Sequence, residues 1–259
     1  MNVQIFPDLE AISRKAAEMF LQFSERYISS ANRFVVALSG GNTPRTFYDI
    51  LGSDQYRNKV DWQNVHIFWV DERFVPPDHA DSNYRMVKDN LLSRISIPHQ
   101  NVHPIMTDVS FPSLAAKKYE KDMKTFLNVS TNKIPEFDLI LLGIGEDGHT
   151  ASLFPGSRVL NRRDHFVSSV IEKKISHPRI TLTLSVITNA RNIIFLVSGK
   201  NKAVAVKKII EEKDSSLPAV LVKPEKGKLF FLIDRDASLL ISKKDKSFYH
   251  HHFFHFKKD

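Results

Sequence analysis

Cysteine is absent from all 259 residues. That excludes a disulfide framework and a thiolate zinc site. A reducing compartment is the simplest setting, and a cytoplasmic location is expected, although a chain without cysteine fits any compartment. No apolar run approaches the roughly 18 residues of a membrane-spanning helix, so no membrane partner is expected. The opening MNVQIFPDLEAISRKAAEMF lacks a basic region followed by an apolar core, and a secretory leader is not expected. The net charge is +8, and residues 241–259 contribute to it with five lysines against two aspartates. The body of the chain carries neither a nucleic-acid motif nor interleaved aromatic and basic residues, so the excess charge does not point to nucleic acid.

Alternation of strand and helix patterns runs along the whole chain. Leu9, Ile12, Ala16, Met19, Phe20 and Phe23 recur at helical spacing behind Asp8, a suitable N-cap, and predict a helix over 8–29. Short apolar runs predict strands at 34–38, 65–70, 139–142, 192–197 and 229–233. Runs rich in β-branched residues predict two more at 167–171 and 179–184. Further helices are expected at 45–51 (Thr43 as cap, Pro44 at the first position), from Ser82 to about 92, at 112–127, up to about 213, and at 234–240. The buried stripe of the 112–127 helix is read as Leu114, Ala115, Tyr119, Met123 and Phe126. The fold class is therefore α/β, with a mostly parallel sheet and helices on both faces. One domain over 1–240 is expected, with a basic tail at 241–259. In the tail, His250, His251, His252 and His255 mix with Phe253, Phe254 and Phe256. Imidazoles can bind a transition metal, but a frayed tail is the plainer expectation.

Four polar clusters stand at strand ends, where open α/β sheets bind ligands. Phe137 to Gly156 reads FDLILLGIGEDGHTASLFPG, an apolar strand running into a glycine corner that carries Glu146, Asp147 and His149. The corner formally satisfies G-x-G-x-x-G, but its acids would sit beside a pyrophosphate, and a dinucleotide loop has no use for His149. A tight turn with solvated acids is the plain alternative. An imidazole two residues after an aspartate suits general-base work near neutral pH. Ser39, Gly40, Gly41 and Asn42 join a strand to a helix and suit a phosphate, or else form an ordinary turn. Ser198-Gly199 with Lys202 repeats that design. Arg179 could present a guanidinium to phosphate or form a surface ion pair. Asp71, Glu72 and Arg73 form either an active-site rim or a salt-bridged surface. His66 is read as a packed or edge histidine, and His79, His99, His103, His165 and His177 as isolated loop residues.

Taken together, ALSGGNTPRTFY at 37–48, FWVDERFVPPDHADSNYRM at 68–86, the 137–156 stretch, HPRITLT at 177–183 and SGKNKAVAV at 198–206 resemble the 6-phosphogluconolactonases. These belong to the superfamily that also holds glucosamine-6-phosphate deaminases/isomerases. The resemblance implies a three-layer, modified Rossmann-like fold, no metal or organic cofactor, and hydrolysis of a phosphosugar lactone, 6-phospho-D-glucono-1,5-lactone, in the pentose phosphate pathway. It implies His149 as general base, Asp147 as its support, and either the backbone N–H groups of the glycine corner or Arg73 for the oxyanion, with Arg73 serving the phosphate otherwise. Ser39, Gly40, Gly41, Asn42, Arg179 and Lys202 would grip the phosphate and sugar. Asp71 would meet a sugar hydroxyl, and Gly145 and Thr150 would line the substrate. The deaminase branch carries a glutamate after the histidine, where this chain has Ser152-Leu153-Phe154-Pro155. A deaminase-type enzyme and a non-catalytic sugar-phosphate sensor are the alternatives. A monomer is expected.

Overall fold

An uninterrupted apolar strand must be covered on both faces, and parallel strands are covered in that way by the helices that connect them. The computed structural model, which describes residues 1–130 and 133–242, follows this logic. Its strands are β1 Asn2–Phe6, β2 Phe34–Leu38, β3 Val65–Trp69, β4 Asp71–Arg73, β5 Val102–His103, β6 Leu139–Leu142, β7 Val167–Val170, β8 Arg179–Leu182, β9 Asn192–Val197 and β10 Lys228–Asp234. Its α-helices are α1 Leu9–Ala31, α2 Asn42–Leu51, α3 Asp54–Arg57, α4 Asn83–Asn90, α5 Pro112–Phe126, α6 Leu184–Thr188, α7 Ala203–Lys207 and α8 Pro218–Leu221.

Seven strands form one parallel sheet in the order β1-β10-β9-β6-β2-β3-β5. Every residue of β2, β6 and β9 is buried. Phe34 pairs in register with Val65, and its ring meets Phe20 of α1 edge-on at 5.2 Å. Phe68 lies three residues beyond Val65 and so points to the opposite face. There it meets Tyr119 and Phe126 of α5. Helices thus cover both faces. From β2 the chain proceeds to β3 on one side, while β6 lies on the other. Strand order therefore reverses between β2 and β6, and a crevice opens beyond their carboxyl ends.

A second, antiparallel sheet, β4-β8-β7, stands at that end. The chain enters it directly from β3. The Val70 N–H donates to Leu38 O at 2.9 Å, and the Val70 carbonyl accepts from Leu182 N–H at 2.8 Å. Residues 71–73 are therefore strand rather than the trailing end of the 65–70 strand.

Several boundaries differ from expectation. Helix α2 starts at Asn42, because Gly41 at φ 105° turns the chain and takes the N-cap position two residues before Thr43. Leu114 is 39% exposed, and the buried stripe of α5 is Ala115, Ala116, Tyr119 and Met123. The strand expected over 167–171 stops at Val170, leaving Ile171 exposed. The strand expected over 179–184 ends at Leu182, where α6 takes over. The helix expected at 234–240 is a set of turns. The Asp234 carboxylate takes the Ala237 N–H at 2.7 Å and also ties down Ser198 and Gly199. His103 is not isolated. Its Nε2 lies 3.3 Å from His66 Nδ1 at the sheet edge, both rings pack on Phe126, and burial pushes the His103 pKa down to about 4. The histidines and phenylalanines of the tail lie outside the described residues.

Asp8 caps α1 as expected, accepting the Ala11 N–H at 2.8 Å. Asp8→Ala should lower the unfolding free energy by about 1 kcal/mol. Urea titration should show the midpoint falling with an unchanged slope.

Candidate active site

The 143–149 corner extends from β6 and folds back on itself. Gly145 N–H donates to His149 O at 2.8 Å, and Gly148 N–H to Gly145 O at 3.0 Å. This closure brings His149 Nδ1 to 2.6 Å from Asp147 Oδ1, which also accepts the His149 backbone N–H at 3.1 Å. Burial opposes ionisation of Asp147, but the His149 backbone and ring outweigh it and hold the carboxyl below its ordinary range. An ionised carboxylate only accepts, so the Nδ1 facing it carries a proton, and in the neutral ring the lone pair falls on Nε2. Gly145 is required sterically, since a Cβ there would fall on the His149 ring. Its N–H is spent inside the corner and is not free for substrate. Thr150 is likewise internal. It is buried, with its hydroxyl donating to Gly143 O at 2.9 Å.

The neighbouring loop leaves β2. Ser39 is buried and donates to Leu141 O of β6 at 2.5 Å, which ties the two strand ends together. Gly40 packs so closely on the Asn83 amide that no side chain fits. Gly41 and Asn42 are exposed at the start of α2, a ten-residue helix without a side-chain cap. The orphan N–H groups of such a terminus favour an anion.

Asp71, expected at a sugar hydroxyl, is only 7% exposed. Its Oδ2 accepts the Ser152 hydroxyl at 2.6 Å, and its carbonyl accepts the Asn83 amide at 2.8 Å. It therefore braces β4 to the segment after the corner. Glu72 is buried too and binds the start of α4. Arg73 and Arg179 face each other across the β4–β8 ladder. Arg73 Nη1 donates to Asp81 O at 2.6 Å, whereas Arg179 Nη1 is buried with no hydrogen-bond partner among the described residues. Burial and the Arg73 charge lower the Arg179 pKa from its ordinary value. Like charges opposed in this way, one with an orphan donor, call for an anion between them.

Lys202 stands on the turn after β9, where the adjacent Asn201 amide reaches Glu146 of the corner at 2.6 Å. The Ser198-Gly199 loop does not repeat the anion design, because its hydroxyl and N–H are occupied by Asp234. His177 and His79 are not isolated. Both lie against Asp81 beside the arginine pair. Asn83 and Ser152 were not singled out from the sequence as site residues, and Glu72 was read only as part of a charged strand-end cluster. All three lie within the segments that carry the resemblance, but their polar side chains turn inward, and composition does not reveal that.

The corner, the β2 loop and the arginine ladder occupy the ends of β6, β2 and β4, and known proteins share this arrangement of sequence. A model of the family described as Glucosamine-6-phosphate isomerases/6-phosphogluconolactonase matches residues 7–231. The chain belongs to this family. A protein named 6-phosphogluconolactonase from Nostoc sp. is 36% identical over 243 residues, spanning 93% of this chain and 98% of that one. Its counterpart of the same name from Synechocystis sp. is 40% identical over 212 residues, spanning 81% and 85%. The solved structure of 6-phosphogluconolactonase from Trypanosoma cruzi matches with a TM-score of 0.80 at 27% identity, over 93% of this chain and 97% of that one. The stretch matched to the family contains every site residue named above.

Burial outweighs the backbone donors around Glu72 and pushes its carboxyl from 4.5 up to about 7. A carboxyl with a higher pKa folded than unfolded contributes stability that is full below the unfolded value and is lost as pH rises through about 7. The melting temperature of the wild type relative to Glu72→Gln should therefore drop between about pH 5 and about pH 8. A difference that stays constant with pH would contradict the shift.

Proposed function

We propose that this chain hydrolyses 6-phospho-D-glucono-1,5-lactone to 6-phospho-D-gluconate, with His149 as the general base. The carrying observation is the 2.6 Å contact between Asp147 Oδ1 and His149 Nδ1, which selects the tautomer of the neutral ring that has its lone pair on Nε2. Ring contact with Phe154 at 4.8 Å further orients the imidazole. The relatives named 6-phosphogluconolactonase support the choice of substrate.

In this reading Nε2 takes a proton from water as the oxygen attacks the lactone carbonyl. The tetrahedral oxyanion collapses, the bond from carbonyl carbon to ring oxygen breaks, and the imidazolium returns its proton to that oxygen. The new carboxylic acid ionises to the product. Asp147 stays ionised and stabilises the imidazolium. Arg179 and Arg73 hold the phosphate, with the open N-terminus of α2 and Lys202 completing the grip. The orphan Arg179 Nη1 favours placing Arg73 with the phosphate rather than the oxyanion. Each of these groups comes from a single chain, so a monomer suffices.

Freshly prepared lactone should be consumed faster than its spontaneous rate, with 6-phosphogluconate as the product. His149→Ala should lower kcat about 100-fold or more. Near-wild-type turnover in that variant would refute the mechanism. Release of ammonia from glucosamine 6-phosphate would favour a deaminase, and tight phosphosugar binding without turnover a sensor. Arg179→Ala should raise KM by about tenfold or more while changing kcat less. Equal losses in kcat and kcat/KM would place Arg179 in the chemical step instead.

A further inference from the structure

Glu72 does not reach the crevice, yet two parts of the candidate site depend on it. Its side chain is 2% exposed. Oε1 accepts the Arg73 and Asn83 backbone N–H groups, each at 2.7 Å. Oε2 accepts the Tyr84 N–H at 2.7 Å and the Ser82 hydroxyl at 3.2 Å. The first two N–H groups of α4 therefore end on a carboxylate from a different element, β4. Both of the Oε1 donors lead to the site. Arg73 is the residue opposed to Arg179. Asn83 carries the amide that packs on Gly40 and holds the Asp71 carbonyl.

A carboxylate at a helix N-terminus ordinarily serves as a cap. Here α4 has a cap of its own, since Ser82 Oγ accepts the Arg85 N–H at 3.2 Å. Burial opposes ionisation of Glu72, so a neutral side chain there would cost less. The groups acting on its charge are Asp71 on the same strand, Arg179 on β8 and Tyr119 on α5. A buried acid retained against its own desolvation and bonded to two site elements is what positioning requires.

We propose that Glu72 is a positioning residue that fixes the arginine pair relative to the Ser39–Gly41 loop, and so sets affinity for the phosphorylated end of the ligand. This rests on the lactonase reading, and the two can fail separately. The test pairs steady-state kinetics on 6-phosphogluconolactone with calorimetric binding of 6-phosphogluconate, for wild type, Glu72→Gln, Asn83→Ala and the double variant. A wild type that does not hydrolyse the lactone overturns the lactonase reading, and the binding data then still decide the role of Glu72. Glu72→Gln should raise KM and Kd about tenfold and change kcat less than about threefold, a split that general loss of folded protein would not produce. Asn83→Ala should raise Kd in the same sense. The double variant should bind no worse than the weaker single variant, because both act through one link. An unchanged Kd in Glu72→Gln, a fall in kcat alone, or additive losses in the double variant overturns the proposal. If Glu72→Gln does not fold, an unchanged Kd in Asn83→Ala overturns it.

Discussion

The chain leaves β2 and β6 in opposite directions, and everything at the candidate site follows from that divergence. Two adjacent parallel strands whose connections go to different sides leave an uncovered gap at their carboxyl ends. Backbone groups at such a gap need partners. The Ser39 hydroxyl on Leu141 O holds the rim of the gap closed on one side. The corner after β6 spends the N–H groups of Gly145, Gly148 and His149 on its own closure and presents the His149 and Asp147 side chains. The β2 loop does the reverse. Its glycines bring no side chains, and α2 begins with open N–H groups. One edge of the sheet thus offers an imidazole on one strand end and an uncapped helix N-terminus on the next.

Charge is distributed unevenly around this gap. The acids Asp71 and Glu72 are buried and fully engaged, while two arginines are set against each other on the adjoining ladder. Without a guest, the arginine pair is a local electrostatic cost. In the proposed function a dianionic phosphate would reverse the sign of that cost, and part of the binding energy would come from relieving repulsion already present in the folded chain. The small antiparallel sheet exists to hold this arrangement. Three residues of β4 carry two braces and one cation set opposite Arg179.

How much of this was legible from sequence depends on where each group points. Strands β2, β6 and β9 were readable to the residue, because burial on both faces leaves an uninterrupted apolar run bounded by turn residues. The Asp147–His149 couple was readable because its members are two residues apart in a tight corner. β4 was not readable as a strand. Asp-Glu-Arg has low strand propensity, and only pairing with β8 makes it extended. The inward turn of Asp71 and Thr150 escaped for the same reason. Their partners, Ser152 and Gly143, are set by tertiary approach rather than by local pattern. Leu114 was placed in the core because an apolar residue fits a helical stripe at several phases, and packing chose the neighbouring one.

The outermost strand of the main sheet also has a consequence for biosynthesis. β1 at residues 2–6 has a single partner, β10 at 228–234. Among the described strands, β1 therefore finds its partner only after residues 7–227 have been made. At about 5–20 residues per second it waits on the order of ten to fifty seconds with its edge open. The hydrophobic face of α1, which immediately follows, can settle on β2 well before then. Until then β1 lacks its β10 partner, and the sheet grows outward from β2 and β3, acquiring β6 and then β9 before β10 can join it to β1.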